Sequence, residues 1–132
     1  MISMDELLQG KSLEDQSEEI QANLAILLER LNKVRTKWGK PMTTTSGLRT
    51  MEDHLRIYAE KGITDPVKIP MKSKHLVGAA DDISDPDLEL TQWLKANPDV
   101  LEEAELWCEQ GNKNWVHFQI FAPHSGVRWF LP

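Results

Sequence analysis

Ser73-Lys74-His75-Leu76-Val77-Gly78-Ala79-Ala80-Asp81-Asp82-Ile83 is the densest run of chemistry-bearing residues in the chain. A His and an Asp stand seven residues apart around Gly78, with two alanines between the glycine and the acids. Glycine lets the backbone turn between two candidate ligands, and small residues let a neighbouring backbone come close. The segment Ala79 to Ile83 is expected on a strand that leaves an exposed loop, Thr64 to Lys74, which holds Pro66 and Pro70. Strand alternation sends Asp81 and Asp82 to opposite faces, so only one of them can share a site with His75. A third polar group of suitable chemistry is His117, in the apolar stretch Trp115-Val116-His117-Phe118. Two imidazoles and a carboxylate, with a fourth position open, form a common ligand set for catalytic Zn²⁺. Each piece alone is weak: a lone His in an apolar strand is more often a core residue with both nitrogens satisfied.

Working outward, apolar residues at Ile20, Leu24, Leu27, Leu31, Val34 and Trp38 alternate steps of four and three, which is one face of an α-helix. Gly39 and Pro41 supply its stop. The same spacing also fits a coiled-coil seam, so a structural protein acting through this helix is a rival reading. Met42 to Thr45 is β-prone and Ser46-Gly47 breaks it. Met51 to Lys61 predicts a second helix, with Gly62 as its cap. Pro86 and Pro98 are expected at the starts of two further helices, the second running through Val100, Leu101, Ala104 and Trp107 to Gly111. That places Cys108 inside a helical turn, as a small buried hydrophobe. Trp115 to Phe121 alternates with period two, and Arg128 to Leu131 is a possible last strand. Helices flanking a small antiparallel sheet make the fold class α+β. Trp38, Trp93 and Trp107 fall at core positions, whereas Trp115 and Trp129 fall near the candidate site.

Composition narrows the chemistry further. The 132 residues fit one domain, and 40% hydrophobic content is enough for a core. Fifteen Lys and Arg against 21 Asp and Glu give a net charge of −6, which argues against nucleic acid held by general attraction to phosphate. One cysteine excludes an internal disulfide and any multi-cysteine metal site, so a metal must be held by His, Asp or Glu. The first residues lack a basic region followed by an apolar one, and no run of about 18 apolar residues exists. A soluble monomer without signal peptide or membrane insertion is expected, made in the cytosol and needing another factor for its release if it acts outside the membrane.

The segment Ser73, His75, Gly78, Ala80, Asp82, Ile83 resembles the first zinc motif of the M15 peptidases. That group comprises D-alanyl-D-alanine carboxypeptidases and L-alanyl-D-glutamate endopeptidases and shares its zinc fold with the Hedgehog signalling domain. Trp115-Val116-His117-Phe118 is similar to the family's Trp-x-His strand, and Thr45-Ser46-Gly47-Leu48-Arg49-Thr50 is similar to its arginine segment. The resemblance spans Thr43 to Gln119, and the whole chain looks like the small members found in tailed bacteriophages. It implies His75, Asp82 and His117 as zinc ligands, Arg49 as a catalytic and substrate-orienting group, and Ser73 on the substrate. It further implies that residues 41–132 form the zinc-site core behind an N-terminal helix in 1–40, within one domain. The implied activity is hydrolysis of a D-amino-acid-containing peptide bond in the stem peptide of bacterial peptidoglycan.

One position departs from the family. Many members place an acid three residues before the last His as general base, and here that residue is Asn114, whose amide takes no proton at neutral pH. Glu109, eight residues before His117, is the substitute if the intervening loop folds it over the metal; Glu105 is a weaker one. The alternative is a catalytically silent zinc-binding domain with a structural or binding role. His54 and His124 have no assigned part; His54, on the second helix near Arg49, either lines the cleft or is a solvated surface residue, and the second is expected.

Overall fold

Apolar periodicity and capping chemistry agree along the first third of the chain. The computed structural model describes residues 1–132. Helix α1 (Met4–Leu8) starts at Ser3, and α2 (Glu18–Trp38) starts at Ser17, whose hydroxyl accepts the Ile20 N–H at 3.2 Å. Gly39 ends α2 in the left-handed region at φ +73. Leu24, Leu27, Leu31 and Val34 of α2 are fully buried in a 21-residue core cluster with Ile83, Val116 and Phe118. Each such side chain contributes about 2 kcal/mol of hydrophobic burial. The stripe therefore faces this chain's own core, and no apolar seam remains for a coiled-coil partner.

Five strands follow: β1 (Thr44–Ser46), β2 (Ala80–Asp85), β3 (Trp107–Glu109), β4 (Asn114–Gln119) and β5 (Trp129–Phe130). Their order across the sheet is β1-β2-β4-β3-β5. All neighbours are antiparallel except β3 and β5, which run parallel. The expected α+β class with flanking helices is present, and the sheet departs from pure antiparallel pairing only at that edge. The return from β4 passes to the outer side of β3 before β5 begins, so the two strands point the same way.

Three local expectations are corrected. Helix α3 (Met51–Glu60) is closed by a Thr50–Asp53 capping box at its start and ends one residue early. Helix α4 (Glu89–Ala96) begins three residues beyond Pro86, because the Asp85 carboxylate accepts the N–H groups of Leu90 (3.0 Å) and Thr91 (2.9 Å). The third concerns the helix expected to run to Gly111. Helix α5 (Asp99–Ala104) stops at Glu105, which is left-handed at φ +57, and the chain becomes β3. Leu106 and Cys108 are fully buried while Trp107 is not, so the period changes from helical to two at this point. Cys108 is a core strand residue; burial pushes its thiol pKa well up.

Gly47 ties α1 to the sheet. The Leu48 N–H donates to the Leu7 carbonyl at 2.8 Å, and a Cβ on Gly47 would lie 2.4 Å from that oxygen. Backbone cannot yield there as a flexible side chain would. We expect Gly47→Ala to lower unfolding free energy by about 2 kcal/mol or more, against about 1 kcal/mol for Gly10→Ala, left-handed but in open space. Thermal and urea denaturation of the two variants measure the contrast.

Candidate metal centre and its cleft

Sheet register assembles the site as one row of side chains. Ser46 of β1 stands opposite Asp82 of β2, and Asp82 stands opposite His117 of β4. Strand β3 pairs Trp107 with Gln119 and Cys108 with Phe118, so one residue further Glu109 faces His117; Glu109 in turn registers with Phe130 of β5. Residues of one row share a face of a pleated sheet. The opposite face carries Asp81, Ile83, Val116, Phe118 and Cys108, all in the core. Asp81 is thereby separated from the site; its carboxyl accepts the Thr44 hydroxyl at 2.9 Å, and burial raises its pKa well above the carboxylate range.

His75 arrives from outside the sheet, on the 3₁₀ turn Lys74–Val77 that leads into β2. Gly78 makes the connection at φ +72, where a Cβ would also press on Leu24 and Ile20 of α2 at 3.0 and 3.1 Å. Ser73 caps this turn through its hydroxyl, which accepts the His75 N–H at 3.3 Å, and it also lines the cleft. One ligand atom each from His75, Asp82 and His117 lies within 4.8 Å of the other two, and all three residues are buried. Asp82 Oδ1 is 3.3 Å from His75 Nε2 and 2.9 Å from His117 Nδ1. Tetrahedral zinc with bonds near 2.0–2.1 Å needs ligand atoms about 3.3 Å apart, so this trio has the right size and donor types for a metal ion.

Hydrogen bonds behind the trio set which nitrogen faces inward. His75 Nδ1–H donates to the Gly47 carbonyl at 2.9 Å, leaving Nε2 toward Asp82. His117 donates on both sides, Nε2–H to Gln119 Oε1 at 3.0 Å and Nδ1–H to Asp82 Oδ1 at 2.9 Å, where a metal ion would take the place of the Nδ1 proton. Burial works against the charged ring, but the Asp82 contact outweighs it and raises its pKa. The Gln119 amide is itself oriented by donating to the Phe121 carbonyl at 2.8 Å. Such orienting partners fix tautomer and ring angle in metal sites. Burial pushes the Asp82 pKa up, yet the imidazoles of His75 and His117 outweigh it and hold the group below the usual carboxylate range.

Arg49 completes the floor. Its Nε donates to Ser46 Oγ at 2.9 Å and its Nη2 lies 3.5 Å from Asp82 Oδ2. His54 corrects the expectation of a solvated residue: it is fully buried. Its Nε2–H donates to the Pro70 carbonyl at 2.8 Å, so Nδ1 carries the lone pair that accepts Arg49 Nη1–H at 3.3 Å. A carbonyl only accepts, which decides the tautomer. Burial first, and the nearby Arg49 charge as well, lower the His54 pKa although the Pro70 contact raises it.

These groups open into a cleft of about 520 Å³, lined also by Tyr58, Trp115 and Glu109. Asn114 is exposed at the start of β4 with φ +74 and does not line it. Glu105 is off the site, 3.4 Å from Arg30 and mostly exposed. Trp129 lies outside the cleft under Lys95, while Trp38 and Trp93 pack on each other at 4.9 Å. His124 is exposed. Gln119 and the Gly47 carbonyl were not singled out from sequence. Of these only Gln119 had a signal: it stands two residues from His117 on a period-two strand.

Two predictions follow from the register and the tautomers. Asp82→Asn should remove stoichiometric zinc binding while Asp81→Asn leaves it, with metal content read by mass spectrometry on folded protein. His54 is neutral when folded, so the unfolded chain binds more protons as pH falls below about 6.5, and stability should fall with it. Between pH 7.5 and 5.5 the zinc-free wild type should lose more melting temperature than His54→Gln does.

No protein-family model matches the chain, and no curated protein matches its sequence. Among solved structures, the crystal structure of Serratia marcescens L-Ala D-Glu endopeptidase ChiX superposes at a TM-score of 0.54 with 18% identity, covering 88% of this chain and 100% of that one. At that identity the likeness is one of fold: this α+β chain is built like a known peptidase.

Proposed function

We propose that the chain, residues 1–132 as one domain, is a zinc-dependent peptidase of the M15 type that hydrolyses a peptide bond in the stem peptide of bacterial cell wall. The observation that carries this reading is the buried His75–Asp82–His117 trio with Glu109 and Arg49 lining the same cleft. The fold shared with an L-Ala D-Glu endopeptidase supports it. The resemblance of the whole chain to small phage members extends it to a lysis or virion enzyme. No helix is long and apolar enough to cross a membrane.

His75 Nε2, Asp82 Oδ1 and His117 Nδ1 would hold the ion. Zinc there supplies Lewis-acid polarisation of a scissile carbonyl and acidifies a water to a pKa near 7. Glu109 stands beside His117 in the row and takes the proton from the attacking water on a carboxylate oxygen, then returns it to the leaving amine nitrogen. Glu109 lines the same cleft as His117 and Tyr58, which supports this role. Asn114 is absent from the cleft, so the base is supplied by the neighbouring strand instead of the same one. Arg49, braced by Ser46 and His54, presents its remaining N–H groups to a substrate carboxylate or to the developing oxyanion. Ser73 caps the turn under His75 and borders the bound peptide. Burial raises the Tyr58 pKa, so its phenol remains a hydrogen-bond donor on the same wall.

General-base groups contribute roughly 10²–10⁴-fold to rate. Glu109→Gln should therefore lower cleavage of purified muropeptides by about a hundredfold or more while zinc content stays at wild-type level. Products are read by chromatography and mass. Wild-type protein that holds zinc but cleaves no muropeptide would instead establish the silent zinc-binding domain.

A further inference from the structure

Charge is distributed against the trend of the chain at one place. Between residues 61 and 74 stand Lys61, Lys68, Lys72 and Lys74 with one acid, Asp65, in a chain where acids outnumber bases 21 to 15. Lys61, Lys72 and Lys74 all line the cleft that holds Arg49 and the trio. They come from the end of α3 and from the segment leading into the His75 turn, so they flank the floor on one wall. None of the three is ion-paired, whereas Lys11, Lys37 and Lys40 elsewhere each meet a carboxylate.

Aromatic faces hold two of them instead. Lys61 Nζ lies 5.1 Å from the Tyr58 ring centre and 6.0 Å from that of Trp115, and Lys74 Nζ lies 5.6 Å from the Phe121 ring. A ring face positions an ammonium without neutralising it. Of the two side-chain carboxylates in the cleft, Asp82 is already enclosed by His75, His117 and Arg49, which leaves Glu109 alone against Lys61, Lys72 and Lys74. The cleft is thus a cationic concavity on an acidic molecule. Such a shape concentrates the field and raises the local concentration of anions.

We infer that the cleft selects a peptide with at least two free carboxylates near the presented bond, one met by Arg49 at the floor and another by Lys61, Lys72 and Lys74 at the rim. The inference rests on the peptidase reading for the peptide and deepens it by making negative charge the specificity determinant. A carboxamide in place of the second carboxylate removes the charge while keeping the shape. The rim therefore discriminates an acidic stem peptide from its amidated counterpart.

The probes are L-alanyl-γ-D-glutamyl-L-lysine and the same peptide with D-isoglutamine, titrated calorimetrically into zinc-supplemented protein. N-acetyl-triglutamate and N-acetyl-triglutamine serve as a pair unrelated to cell wall. The acid form of each pair should bind about tenfold more tightly, the range three exposed ion pairs supply together. Raising NaCl from about 50 to 500 mM should shrink that preference, because the Debye length falls from above 10 Å to a few ångströms. A Lys61→Gln, Lys72→Gln, Lys74→Gln variant, checked for fold by circular dichroism, should bind acid and amide forms alike. Equal binding of the two forms by the wild type, a preference unchanged in the triple variant, or no binding of any probe overturns the inference. Carboxylate-dependent binding without muropeptide cleavage leaves it standing and removes the peptidase reading; cleavage indifferent to amidation does the reverse.

Discussion

The antiparallel pairing that sets Asp82 opposite His117 is the constraint on which the rest of the site depends. It brings a carboxylate and an imidazole to 2.9 Å inside the protein, where an isolated charge is costly. Asp82 remains ionised because His75, His117 and Arg49 surround it on both oxygens. A register slip of one residue would turn Asp82 into the core and Asp81 into the cleft. The packing of Ile83, Val116 and Phe118 on the other face resists that slip, so the hydrophobic core and the polar centre specify the same register.

Support for the centre comes from backbone more than from further side chains. Gly47 approaches Leu7 too closely for any Cβ, and its carbonyl orients His75. The Pro70 carbonyl fixes His54, and His54 in turn fixes Arg49. The Phe121 carbonyl fixes Gln119, which fixes His117. Each chain of contacts ends in a peptide group, which cannot rotate away without disturbing an element. The floor is consequently held from three directions, while the lysines of the rim remain unpaired and free to meet a ligand.

Much of the architecture was legible in the residues, with failures at places of one kind. The α2 stripe and the alternation of β4 carried long, regular periods, and both elements form, β4 ending at Gln119, two residues short of the expected Phe121. The end of α5 was missed because Val100, Leu101 and Ala104 continue smoothly by eye into Trp107, although Leu106 and Cys108 change the period to two. His54 was misplaced because a polar residue on a short helix gives no hint that a loop carbonyl covers it. The parallel edge at β5 was also hidden, since two residues of strand carry no information about direction.

What the sequence by itself determined was the local inventory: a His and an Asp flanking a glycine, a second His on a period-two strand, one cysteine, and a helix with a single apolar face. These follow from spacing and side-chain chemistry, which are properties of neighbouring residues. What only the tertiary structure decided was which groups meet. The contact of Asp82 with His117, the Gly47 carbonyl behind His75, and His54 behind Arg49 are outcomes of strand register and loop closure. Those link residues 5 to 35 positions apart in the pairs that matter most. Such contacts depend on the packing of the whole core, and no local pattern encodes them.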